Sequence, residues 1–386
     1  MESSGRDVKK LIMGYGFTLN FSSGITSPFL SVFIFEIAGE SFLKTGIGNQ
    51  VPTIISIVMG YIWARISDYT GKRRIFIQMA LGTGIITTTA LSFVRNVEQY
   101  LVIQTIGSIT GSAGGAALSA VIAENFRGSR GELFGRYQAI TVIGGFLGNV
   151  ISGALYNAIG YRNVLRLVAT LNIIPLTIIS LIPENAGKKF VKGKLFSPPK
   201  IPSGFWKAYG IRLMLTLPGA LSGGLLGIYY LKYLGGSPEN WSIVVAITTF
   251  LGLSSIPYGK LADKLSMKSM FTFAGIGWTI LYLGYYLSPT PTIFALFFII
   301  PIWPAFWITY NKLLMELSDS TDRATFYAFE GILSTILGAI VGIFSGYLAD
   351  LFGPRNIFIL SASIAATATV YTRIILKRKS SFSESP

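Results

Sequence analysis

The sequence predicts an all-α integral membrane protein, with twelve transmembrane helices forming two six-helix pseudo-symmetric bundles around a central cavity. Three observations carry this. Apolar residues make up 51% of the 386-residue chain and charged residues only 13%, about half of the roughly 25% found in soluble domains. Twelve stretches stay mostly apolar over the roughly 20 residues that a spanning helix needs. The second half of the chain also repeats residues of the first. The alternating pattern of a membrane barrel is absent.

The elements follow in chain order. A short polar stretch, Met1 to Lys10, leads into span 1 at 11–36, which is too long for the apolar core of a cleaved signal peptide. Spans 2 to 6 fall at 45–66, 75–94, 99–123, 135–158 and 163–182. The longest connection, Pro183 to Gly204, holds Lys188, Lys189, Lys192, Lys194, Lys200 and four prolines. It reads as a basic linker, 184–204, between an N-terminal bundle, 1–183, and a C-terminal bundle, 205–386. Spans 7 to 12 fall at 206–233, 241–262, 269–288, 291–314, 325–350 and 355–376.

Lysine and arginine predict the orientation. With the N-terminus inside, 26 of the 32 lysines and arginines fall in inner loops and the adjoining span ends, against six outside. This asymmetry puts both termini in the cytoplasm of a plasma-membrane protein. The net charge of +15 is then mostly topology and attraction to the anionic leaflet of the bilayer, with no nucleic-acid partner. The chain has no histidine and no cysteine. That removes the usual general base near neutral pH and the commonest metal ligands, so neither an enzyme nor a metal or other cofactor is expected.

The repeat has an offset of 193. Ser152 to Asn163 falls on Ser345 to Asn356 with six of twelve positions identical, and Gly145 falls on Gly338. An even number of spans per half makes the repeat parallel, which suits two like halves tilting about a shared cavity.

The loop after span 2 reads Ala64-Arg-Ile-Ser-Asp68-Tyr-Thr-Gly71-Lys72-Arg73-Arg74, and the loop after span 8 reads Gly259-Lys-Leu-Ala-Asp263-Lys264. Both resemble the loop signature of the major facilitator superfamily: glycine, three residues, aspartate, basic, one residue, glycine, basic, basic. Ala64 and Tyr69 depart from it in the first copy and Ser266 in the second. The resemblance implies a secondary transporter working by alternating access. It implies that Asp68 locks the outward-facing state against span 11, and that Glu124, Arg130, Glu316 and Arg323 join the two aspartates in a cytoplasmic gate. Gly71 would allow a tight turn, and Lys72 and Arg73 would hold the loop at the membrane surface. The alternative is that these charges are ordinary solvated helix ends obeying the inner-side bias, since an isolated surface pair contributes only about 0–1 kcal/mol.

Span 5 carries Gly144, Gly148, Asn149 and Gly153. This row resembles the superfamily's antiporter motif, with Asn149 where proline belongs and Ser152 where a glycine belongs. Glycine rows at spacing four recur in spans 4, 7 and 11, where they let helix backbones approach closely.

The resemblance makes spans 1, 4, 7 and 10 the lining of the cavity. Span 1 places Asn20, Ser23 and Ser27 on one face, and span 4 places Gln104, Ser108 and Ser112 on another. Span 10 places Trp303, Trp307 and Tyr310 on one face, with Pro301 and Pro304 able to kink the helix. Hydroxyls beside large aromatics suit apolar or flat cationic ligands, although such stripes also serve as packing. Glu330, about six residues inside span 11, is the candidate proton carrier. Otherwise it reaches the interface or pairs with Arg323 or Arg136. Arg212 in span 7 can serve an anion, but its place near the inner end suits snorkelling.

The expected activity is export of small amphipathic or drug-like compounds in exchange for protons, by a chain able to work as a monomer. Cation-coupled uptake of a sugar or other polar solute is the alternative. A membrane enzyme or lipid-handling protein would show a carboxylate cluster at one face, and the twofold repetition of the loop carboxylates argues instead for gating.

Overall fold

The computed structural model describes residues 2–126, 130–184, 201–202, 204–318 and 323–376, and among them there is no strand. The linker expected at 184–204 lies mostly outside these residues. The twelve spans appear as Glu2–Thr26 continued by Leu30–Ile37, Phe42–Thr70, Arg74–Leu91, Val97–Asn125, Arg130–Ile159, and Tyr161–Leu171 continued by Ile173–Leu181. They resume with Phe205–Ser222 and its extension to Tyr233, then Pro238–Leu251 continued by Ser255–Lys264, and Met267–Leu287. The last three are Pro291–Phe298 continued by Trp303–Leu317, Arg323–Phe352 and Pro354–Ile375. Eleven of these are long and apolar enough to cross a membrane. Span 2, Phe42–Thr70, has the length but not the hydropathy, because Lys44, Asn49, Gln50 and Arg65 dilute it.

Five of these spans are interrupted, and prolines stand at the breaks in spans 10 and 1. Span 10 stops at Phe298 and restarts at Trp303, with Pro301 and Pro304 at the break. Span 1 passes through a tight turn at Ser27–Phe29 that contains Pro28. Span 7 ends its regular ladder at Ser222, resumes for Leu226–Ile228 and finishes in a wide π turn, Tyr229–Tyr233.

The helices gather into two compact units. The first comprises Met1–Glu40, Ile47–Leu195 and Ser237–Phe250, and the second Ser41–Gly46, Phe196–Gly236 and Leu251–Pro386. In the first, Ile12, Ile77, Ala113, Ala117, Phe126 and Ile179 form a core among spans 1, 3, 4 and 6. Lipid supplies little hydrophobic drive between helices, so close backbone packing carries more of the association. Spans 1 and 5 show it. A Cβ on Gly144 would lie 2.5 Å from the Phe17 carbonyl oxygen, one on Gly24 would lie 2.5 Å from that of Gly145, and one on Gly148 would collide with that of Phe21. By contrast, a Cβ on Gly111, Gly115 or Gly338 would meet nothing within 4 Å. Equal spacing therefore hides two kinds of glycine, even within one row: a Cβ on Gly346 would lie on the Phe42 carbonyl oxygen, while one on Gly338 would meet nothing.

The internal repeat is physical. Gly160 and Gly353, equivalent at offset 193, both take left-handed backbone (φ +73° and +82°), ending spans 5 and 11 alike. Asn163 Nδ2 donates to the Ile159 carbonyl at 2.8 Å, and its counterpart Asn356 donates to that of Phe352 at 2.7 Å. Ser152 Oγ donates to the Ile25 carbonyl of span 1 at 2.5 Å, and Ser345 Oγ to the Leu221 carbonyl of span 7. Each serine ties the fifth helix of its half to the first.

Candidate functional site

Glu330 lies on span 11 with 5% of its surface exposed. Its carboxylate forms an ion pair with Arg212 of span 7, whose side chain is 13% exposed. The same carboxylate accepts hydrogen bonds from Tyr310 Oη of span 10 and from Ser334 Oγ one helical turn onward, each at 3.0 Å. The guanidinium is held over the rings of Trp307 and Tyr310, 5.0 and 5.4 Å from their centroids. Three helices thus converge on one buried charge pair. Span 10 delivers two aromatics because, after its proline break, Trp307 and Tyr310 stand three residues apart on one face. Removing both charges from water is costly, and the pair persists because each partner neutralises the other and the hydroxyls satisfy the remaining acceptor sites.

This geometry corrects two expectations. Arg212 does not snorkel to an interface but turns inward to Glu330. Nor does Glu330 pair with Arg136, which instead pairs with Glu132 one turn away at 2.6 Å. Arg130 and Arg323 begin their helices, and their side chains lie outside the described residues.

The other predicted cavity residues are less concentrated. Trp303 packs against Gly252, apart from the pair. Asn20 Nδ2 donates to its own helix at the Gly16 carbonyl, 2.8 Å, and Ser112 Oγ donates to that of Ile109, 3.0 Å. Ser108 is buried, Gln104 half-buried and Ser23 exposed. Ser27 Oγ reaches Asn149 Oδ1 at 3.4 Å, and Asn149 Nδ2 donates to Thr249 Oγ1 at 2.9 Å. Asn149, where the antiporter motif has proline, is therefore a buried cross-helix bridge. Gly153 completes that row: a Cβ there would press on the first turn of the helix Pro238–Leu251.

A second polar cluster sits in the loop between spans 2 and 3. Gly71 takes left-handed backbone (φ +67°), the conformation that makes this turn possible. The turn aims Arg73 at Asp68 (2.7 Å) and Glu124 (3.4 Å), while Lys72 points outward, exposed. Glu184, just beyond span 6, is an addition that the sequence did not suggest. Its carboxylate accepts from the backbone N–H of Arg73 (2.5 Å) and of Arg74 (3.1 Å), capping span 3 where its orphan donors point. Glu184→Ala is expected to destabilise the protein by about 0.5–2 kcal/mol, as loss of a helix cap does, read as a lower thermal midpoint in detergent.

The second loop copy is looser. Asp263 is 82% exposed on its side chain and 3.9 Å from Lys312 Nζ. Lys264 and Glu316 are exposed, and Gly259 meets nothing within 4 Å. Asp350, near the end of span 11, caps span 2: Phe42 N (2.6 Å), Leu43 N (2.9 Å) and Ser41 Oγ (2.9 Å) all donate to its carboxylate.

Comparison with known proteins agrees with this architecture. The family model for the Major Facilitator Superfamily matches residues 12–230 and 208–386. The chain is 25% identical over 365 residues to an uncharacterised MFS-type transporter of Methanocaldococcus jannaschii, covering 87% of this chain and 89% of that one. It is 22% identical over 389 residues to the multi-drug resistance efflux pump PmrA of Streptococcus pneumoniae, covering 97% of each. The multidrug resistance protein MdtG of Dickeya zeae is 21% identical over 373 residues, covering 92% of this chain and 91% of that one. Among solved structures, the nucleoside transporter NupG superposes with a TM-score of 0.79 at 14% identity, over 95% of this chain and 99% of that one, a likeness of fold. With a family model matched in both halves and a six-span half written twice, the chain belongs to the Major Facilitator Superfamily and is a multi-pass membrane transporter, not an enzyme.

Proposed function

We propose that the chain is a proton-coupled exporter of small amphipathic or drug-like compounds, and that Glu330 carries the proton. It sits in the plasma membrane with both termini in the cytoplasm and works as a monomer by alternating access. The observation that carries the proposal is the buried Glu330 carboxylate, held at once by Arg212, Tyr310 and Ser334. One proton on that carboxylate cancels its charge and frees Arg212, so protonation changes which helices are tied together. Export draws its support from one relative named a multi-drug resistance efflux pump and another named a multidrug resistance protein. The second reading, uptake of a polar solute with a cation, is favoured by the fixed positive charge of Arg212 beside the acid.

The test uses purified protein in liposomes holding a pH-sensitive dye under an imposed proton gradient. Amphipathic compounds are expected to dissipate the gradient, and Glu330→Gln to abolish that response. Coupling that survives the substitution retires Glu330 as the carrier. Proton entry on external addition of sugars would favour the uptake reading.

A further inference from the structure

The cleft beside the charge pair holds more than proton carriage requires. It is an open, narrow cleft, its roughly 320 Å³ counting the solvent space at its mouth, and is lined by Tyr209, Arg212, Leu213 and Leu217 of span 7 with Ser334 and Leu337 of span 11. At its polar end the hydroxyls are unequally committed. Thr216 Oγ1 donates to the Arg212 carbonyl and Ser334 Oγ to Glu330. Tyr209 is 5% exposed, and its hydroxyl lies beside Ser334, whose Oγ is directed at Glu330, without a hydrogen bond of full geometry among the described residues. A buried hydroxyl in that condition calls for a partner. Arg212 carries five N–H donors, and its planar group is fixed by Trp307, Tyr310 and Glu330. The donors offered here are thus a guanidinium and a phenol, while the one carboxylate is already engaged. Leu213, Leu217 and Leu337 add apolar surface to the lining.

We propose that this cleft seats amphipathic organic acids, with a carboxylate or similar oxyanion on Arg212 and Tyr209 and an apolar or aryl tail along the leucines. The inference rests on the reading of Glu330 as proton carrier in one respect. An arriving anion would leave the site net negative unless Glu330 takes up a proton, so acid and proton load together, which joins this seat to the second reading, uptake with a cation, and not to exchange. The charged and titratable groups gathered here are Arg212 and Tyr209 of span 7, Tyr310 of span 10, and Glu330 and Tyr327 of span 11. A lipophilic cation would have to displace Arg212 or lie against it.

The experiment compares three probes sharing one tail, phenylbutyrate, phenylbutylammonium and phenylbutanol, binding to the purified full chain by calorimetry. Proton uptake is followed with an indicator dye in weak buffer. Phenylbutyrate is expected to bind about tenfold more tightly than phenylbutanol, the gain from a charge-assisted contact, with the ammonium weakest. Tyr209→Phe should weaken phenylbutyrate about three- to tenfold and leave the alcohol unchanged. Because Arg212→Gln alone leaves Glu330 uncompensated, the probe of the arginine is the neutral double variant Arg212→Gln/Glu330→Gln, which should erase the preference for the acid. A preference that survives both variants, or tightest binding by the ammonium, overturns the seat. Glu330→Gln separates the two readings. If phenylbutyrate still binds but proton uptake is lost, both stand. If binding and proton uptake both persist, the seat stands and Glu330 is not the carrier.

Discussion

Arg212→Ala lowers stability by about 3–5 kcal/mol, because it strips the counter-ion from a buried carboxylate. The readout is the unfolding midpoint of detergent-solubilised protein, followed through tryptophan fluorescence. The companion experiment replaces both members of the pair with apolar residues, Arg212→Met with Glu330→Leu. Most of the lost stability is expected to return, since a buried ion pair often gives way to packed apolar side chains at little cost. Proton coupling in liposomes should remain absent in that double variant. Recovered stability without recovered coupling would mean that the pair serves function more than folding. A stable, fully coupled Arg212→Ala protein would remove the pair from the mechanism.

Gly148→Leu is expected to prevent accumulation of folded protein, and Gly148→Ala to cost about 1–3 kcal/mol, the range for overpacking a close contact. The added atom collides with the Phe21 carbonyl, which belongs to helix backbone and cannot rotate aside. Gly111→Ala is the matched control. Nothing lies within 4 Å of its new methyl group, so the change should be neutral or stabilising by up to about 1 kcal/mol through helix propensity. Equal sensitivity at the two sites would refute the distinction between packed and open glycines.

These two sites also mark where the sequence stops being legible. Spans, repeat and the loop turn depend on hydropathy, spacing and local backbone demands, which a sequence displays directly. Gly71 could be read as a turn residue, and its left-handed backbone bears that out. The prolines of span 10 could be read as a break, and the helix does stop and restart there. Arg212 could not be read in the same way. Its contribution to the inner-side charge count was indistinguishable from that of a snorkelling residue, and its partner lies in the fourth helix after its own. Glycine spacing states which face a row occupies but not what that face meets, so Gly111 and Gly148 look alike until the neighbour is known. Asn149 looked like a defect in a motif because the motif expects proline, while its hydrogen bond to Thr249 depends on a distant helix. Glu184 and Asp350 cap helices remote in the chain, and nothing beside either residue announces the role.

The backbone seam between spans 1 and 5 has a mechanical consequence. At Gly24, Gly144 and Gly148 backbone meets backbone, with no side chain there to rearrange or cushion a load. Such a joint acts as a weld, and the two helices are expected to move as one. Span 7 is built in the opposite way. Its ladder lapses after Ser222 and closes in a π turn at Tyr229–Tyr233, whereas span 5 runs unbroken from Arg130 to Ile159. Spin labels placed across the welded pair would keep one separation throughout the working cycle, which makes that pair a fixed ruler for measuring everything that moves.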